Sequence, residues 1–326
     1  MTAPQRLLVA QVSAFLLCLT KAHPSCYPGD ATYNCYYFCE AFTSARHFAM
    51  IDRYRARNCA HFVLKDSYLD RLPPNAFADT SVSVLQFSNV TVGAYGDQQK
   101  NATSPFDALK HHLRKLIFSD QPRALGSWSL LRGLDRLETL LLLNVREVNL
   151  TTDFNSLPPS VKEIQILGAH IGRVDEDWLT TLHGLNAVMV KETNLWSISR
   201  SMLPRPAPRL MIIDLAENRL TSLPEDLTAD MPALRQLDVG YNEITTLHES
   251  TLAPLKRNRG FVSMTGNPIT CDCRMAFLLT YPRHWNYYVC ANPPSLATRS
   301  IQSLREAELC SEVSGRGLSN DVTAES

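Results

Sequence analysis

One template, L-x-x-L-x-L-x-x-N-x-L, recurs along most of this chain at a nearly fixed interval. LMIIDLAENRL (210–220) and LRQLDVGYNEI (234–244) match it directly. Read outward from that pair, turns start at Cys59, Val82, Leu113, Leu137, Val161, Leu185, Leu210, Leu234 and Arg259, at intervals of 23, 31, 24, 24, 24, 25, 24 and 25 residues. Unrelated elements would not keep such a period; one structural unit is being repeated.

Within each turn the x-L-x-L-x piece is a short strand. Alternation along it sends template positions 4 and 6 to one face and positions 3, 5 and 7 to the other. One turn cannot bury its leucines, whereas stacked turns share a continuous core and pair their strands in parallel. An α/β solenoid follows. Asn at position 9 (Asn218, Asn242 and Asn267) brings an amide that can bond backbone groups where the strand bends away. Earlier turns carry Ser67, Val90, Gln121, Val145, Ala169 and Thr193 there, so the N-terminal half is expected to be less regular. The long interval holds a polar, turn-rich insertion over 93–112, expected as a surface loop.

A solenoid has two apolar ends, and each needs a cap. Residues 1–22 carry Arg6, an apolar run from Leu7 to Leu19, and Thr20-Lys21-Ala22; this reads as a secretory signal peptide cleaved after Ala22. Beyond it the cysteines fall in two groups, Cys26, Cys35, Cys39 and Cys59, then Cys271, Cys273, Cys290 and Cys310, with none between. An even number in an exported chain points to disulfides. Zinc would want four suitably spaced ligands, and His284 is the histidine near the second group. The expected organisation is a signal peptide over 1–22, an N-terminal cap over 23–58, repeats over 59–269, a C-terminal cap over 270–310 and a polar tail over 311–326. In the chain-entropy model, each disulfide closing a loop of about 20 residues contributes roughly 3 kcal/mol.

The repeats, together with NPITCDCRMAFLL and its two downstream cysteines, resemble secreted leucine-rich-repeat proteins with cysteine-rich caps. That resemblance implies a horseshoe with a parallel concave sheet, disulfide-capped at both ends. It also implies the pairs Cys271–Cys290, Cys273–Cys310, Cys26–Cys39 and Cys35–Cys59, although Cys35 and Cys39 stand further apart than the usual C-x-C. The short stand-alone layout is similar to arthropod secreted members, which include the non-catalytic repeat subunit of a shrimp luciferase.

Lysine plus arginine equals aspartate plus glutamate, 32 against 32, so the basic footprint of a nucleic-acid binder is missing. No segment after residue 22 offers the roughly 18 continuous apolar residues of a membrane span. Nucleophile elbow, phosphate loop and metal-ligand helix are all absent, so no catalytic residue, metal or cofactor is expected. The expected partner is an extracellular protein met by the concave face, with a secreted enzyme subunit as the alternative.

On that face, positions 5 and 7 place Ile117, Leu141, Leu143, Leu167 and Met189 on adjacent turns, with Lys115, Glu163, Lys191, Asp214 and Asp238 around them. Apolar side chains rimmed by charge mark a binding surface. LETLLLLNV fits either strand phase, and the alternative buries Leu141 and Leu143. Sequons at Asn89, Asn101 and Asn149 are candidate glycan sites.

Overall fold

The computed structural model describes residues 23–29, 35–95, 104–285 and 288–310; the signal peptide, Asn101 and the tail over 311–326 lie outside the described residues. Among the described residues an eleven-stranded sheet runs the length of the chain. Its strands are β1 (Ser25–Pro28), β2 (Tyr36–Glu40), β3 (His61–Leu72), β4 (Val84–Tyr95), β5 (Lys115–Ser119), β6 (Thr139–Leu143), β8 (Glu163–Leu167), β10 (Ala187–Lys191), β11 (Ile212–Asp214), β12 (Gln236–Asp238) and β13 (Phe261–Ser263). All neighbours are parallel except β1 and β2. A second, two-stranded sheet pairs β7 (Val148–Leu150) with β9 (Ile171–Val174) on the return side.

Each turn repeats two backbone bonds. The position-2 carbonyl accepts from the next turn, as when Glu163 N donates to Glu138 O at 3.0 Å and Gln236 N to Met211 O at 3.0 Å. At the far end of the strand the position-8 N–H donates onward, as from Asn144 to Leu167 O at 2.8 Å. That position-8 residue has left-handed backbone in every turn, with φ from 48° at Asp66 to 79° at Gly266. Asp66, Asn89, Asp120, Asn144 and Gly168 suit it, because Asn, Asp and Gly tolerate this conformation best. Positions 4 and 6 point inward throughout: Leu140, Leu142, Ile164, Ile166, Val188, Val190, Ile213, Leu215, Leu237 and Val239 are buried.

Irregularity follows position 9. Asn242 donates from Nδ2 to Leu215 O at 2.9 Å and Val239 O at 3.0 Å, and its Oδ1 accepts from Leu220 N at 2.9 Å. Asn218 and Asn267 make the same bonds one turn away. Where position 9 is Ser67 and Val90 the strands run on, and β3 and β4 stay paired to Leu72 and Tyr95; where it is Val145 and Ala169 the strands stop at position 7 and the separate β7–β9 ladder follows. The insertion is accordingly narrower than 93–112, since residues 93–95 belong to β4, and Phe106 and Leu109 are buried core rather than loop. Both side chains are large and apolar, and burying them outweighs the polar character of their neighbours. On the return side aromatic rings continue the core across turns, with centroids 4.8 Å apart for Trp128–Phe154 and 5.3 Å for Phe154–Trp178.

The caps close the two ends. Cys26–Cys39 joins the β1–β2 hairpin and Cys35–Cys59 ties it to the first turn, while Phe42, Phe48 and Ile51 cover the core. The outer strand ends on Pro28, which has no N–H to offer another sheet. At the other end Cys271–Cys290 and Cys273–Cys310 hold a 3-10 segment (Cys273–Thr280) whose Met275 and Leu278 are buried. No helix among the described residues is long and apolar enough to cross a membrane.

Candidate functional site: the concave sheet face

Parallel register sorts the outward side chains into rows. One row runs Val63, Gln86, Ile117, Leu141, Gln165, Met189, Asp214 and Asp238. The next runs Lys65, Ser88, Ser119, Leu143, Leu167 and Lys191. The phase of LETLLLLNV is thereby decided: Leu140 and Leu142 are buried, and Leu141 and Leu143 lie half-buried on the outward side. Leu167 and Met189 are likewise half-buried; Leu143 and Leu167 are neighbours in one row, and in the other Gln165 stands between Leu141 and Met189, so the four apolar side chains share the outward face of β6, β8 and β10.

Two of the residues expected to be exposed are not. Ile117 is 9% accessible, in register between Gln86 and Leu141, and adjoins the patch on its β5 side. Asp214 is 8% accessible, set between Met189 and Asp238. Burial raises its carboxyl pKa; the Ala216 N–H and Lys191 oppose this, while neighbouring Asp238 adds to it. Lys191 Nζ is 3.5 Å from Asp214 Oδ2 and Ala216 N 3.2 Å from Oδ1. Asp238 accepts the Gly240 N–H at 2.9 Å, and Glu163 accepts from Gln165 Nε2 at 3.2 Å.

The face continues into the N-terminal cap, outside the repeat template and so invisible to it. Tyr36 and Phe38 extend the outward rows on β2, and Tyr36 lies 4.3 Å from the His61 ring, Phe38 5.7 Å from Tyr27. Lys65 Nζ bonds Glu40 Oε2 at 2.7 Å and stands 5.9 Å from the Tyr27 and Phe38 rings. That hydrogen bond holds Glu40 below the ordinary carboxylate range. Burial lowers the His61 pKa, and the Gln86 side chain, as an acceptor for the ring, opposes this.

Asn89, at the left-handed position 8 within β4, and Asn149, on β7, are exposed and follow the concave part of their turns, on the exit flank. Asn89 Nδ2 donates to Asp66 Oδ1 at 2.7 Å. His111 pairs with Asp135 at 2.6 Å on the surface, and among the described residues no three His, Cys, Asp or Glu side chains gather as metal ligands.

A stack of parallel strands, a consensus of inward leucines and disulfide-bonded ends give this chain the capped leucine-rich-repeat horseshoe fold. The leucine-rich-repeat model matches residues 208–259, where the template is most regular. The chain is 29% identical over 147 residues to a rat leucine-rich repeat and fibronectin type-III domain-containing protein 4, covering 42% of this chain but 22% of that one. It is 21% identical over 180 residues to the Oplophorus-luciferin 2-monooxygenase non-catalytic subunit of Oplophorus gracilirostris, covering 55% and 49%. Each match therefore spans less than half of the relative's own length. In three dimensions it is similar to a chain in the octameric complex of Latrophilin 3, Unc5D and FLRT2 (LRR), with a TM-score of 0.55, 16% identity and coverage of 82% and 88%.

Proposed function

We propose that the protein is a secreted, glycosylated, non-enzymatic scaffold whose concave face binds an extracellular protein. The observation that carries this is the set of Leu141, Leu143, Leu167 and Met189 on the outward sheet face, beside the buried Ile117. Strands about 4.8 Å apart make it roughly 10 Å across from β6 to β10. Apolar side chains held in water cost free energy that a partner's surface recovers, and the charges of Lys115, Glu163, Lys191 and Asp238 surround them as a rim surrounds an interface core. Glycans on Asn89 and Asn149 would crowd the exit flank and leave the face open. The disulfide-bonded caps suit an oxidising compartment.

The likeness to the luciferase subunit supports a second reading, a non-catalytic subunit that stabilises a secreted oxidase. Affinity capture from extracellular fluid separates the two, comparing wild type with a folded, secreted Leu141→Asp, Met189→Asp double variant. A partner lost from the variant alone places the site on this face, and oxidase activity in the captured fraction selects the second reading. Identical capture by both chains removes the face as the site.

A further inference from the structure

We infer that the concave face takes a linear polypeptide segment ordered as an acidic side chain, a run of apolar side chains and a basic side chain. This rests on the reading of that face as the binding surface. The charges on it are unevenly satisfied. Lys115, half-buried on β5, has no acidic partner in ion-pair range among the described residues. Glu163, in the same row two strands on, is engaged by Gln165. Lys191 and Asp214 answer each other at 3.5 Å. Asp238 on β12 is left with a backbone N–H and no cation among the described residues. A positive end and a negative end thus flank the apolar patch on β6, β8 and β10.

The spacing suits a peptide. From β5 to β12 are five strand steps, about 24 Å at 4.8 Å each, which about seven residues of extended chain span. A nucleic acid would find one unpaired cation, Lys115, and more carboxylates than cations along that path, and a lipid surface presents no pair of opposite charges at a set separation. A polypeptide supplies both signs and apolar side chains on one strand. Its acidic group would meet Lys115, its apolar run Leu141, Leu143, Leu167 and Met189, and its basic group Asp238.

The test is selection from a displayed library of random peptides about seven to ten residues long against the folded wild-type protein. Selected peptides are expected to share the charge order and apolar centre, and to lose binding to Leu141→Asp, with Met189→Asp read in its place should that variant fail to fold. Asp238→Lys is expected to weaken them by about tenfold and to recover peptides whose basic residue is changed to glutamate. Peptides that bind Leu141→Asp and Met189→Asp as well as wild type would sink the concave reading itself. Peptides sensitive to Leu141→Asp but indifferent to Asp238→Lys would leave that reading standing and overturn the charge-ordered segment. Absence of any enriched peptide overturns the segment as well.

Discussion

The indole Nε1 of Trp285 donates to the carbonyl oxygen of Gly260 at 2.8 Å. Gly260 holds position 2 of the last turn, the acceptor that every earlier turn offers to a backbone N–H of its successor: Arg235 O takes Phe261 N at 2.7 Å, Met211 O takes Arg235 N at 2.9 Å. No further strand follows among the described residues, and a buried side chain supplies the missing donor and ends the ladder without leaving that carbonyl unpaired.

Trp285→Phe keeps most of the ring packing and removes the donor. A buried acceptor left without a partner costs about 1–3 kcal/mol. Denaturant unfolding should show that loss, and amide exchange should show it concentrated in β13 and the C-terminal cap.

Asn242→Leu is close in volume but deletes the amide that bonds Leu215 O, Val239 O and Leu220 N. Leu215 O keeps Asn218 Nδ2 at 2.9 Å and Val239 O keeps Asn267 Nδ2 at 2.8 Å, so the Leu220 N–H is the buried group left stranded, and a loss of about 1–3 kcal/mol is expected, read as a lower denaturation midpoint. Stability within about half a kcal/mol of wild type would mean that the amide ladder is dispensable.

Arg200 is buried, and its guanidinium donates to Ala229 O at 2.8 Å and Pro204 O at 2.9 Å. Burial depresses its pKa. Arg200→Met leaves those carbonyls unpaired while filling much of the space, so a loss of about 2–4 kcal/mol is expected from calorimetry or denaturant melts.

Glu192 is exposed at a position with φ of 52°, where glycine carries no Cβ penalty. Glu192→Gly should therefore stabilise by about 0.5–1 kcal/mol even though it removes a side chain. Gly168→Ala, at φ of 64° with its new Cβ driven against the Asn144 side-chain oxygen, should do the reverse. A melting comparison of the two substitutions checks the sign in each case.

Asp214 carries a pH dependence. Burial raises its folded-state pKa above the unfolded value, so the native state binds the proton more tightly. Stability contributed by the proton is complete below the unfolded carboxylate pKa, near 3.9, and falls as pH rises through the higher folded value. Asp214→Asn should thus gain thermal stability relative to wild type at pH 7, with the gain shrinking toward pH 4. A gain that is flat with pH would assign the effect to something other than this ionisation.

Much of this architecture is written in residues close together along the chain. The interval of 24 or 25 residues, the inward leucines of positions 4 and 6 and the asparagines at 218, 242 and 267 come from local alternation and one recurring bend, which each turn states for itself. The Asp, Asn and Gly residues at position 8 were equally legible as a left-handed site, and were missed because the template leaves that position unspecified. What only the tertiary structure decided depends on residues a full turn apart. Four consecutive leucines satisfy either phase until the neighbouring strands fix which two face the core. Ile117 and Asp214 are buried among strand neighbours a full turn away, Gln86 and Leu141 for the one and Met189 and Asp238 for the other, whose size the template does not constrain. Tyr36 and Phe38 join the concave face because the cap's β2 pairs with β3, and Trp285 reaches Gly260 across 25 residues. Periodicity determines which way a side chain points; stacking determines what it meets there.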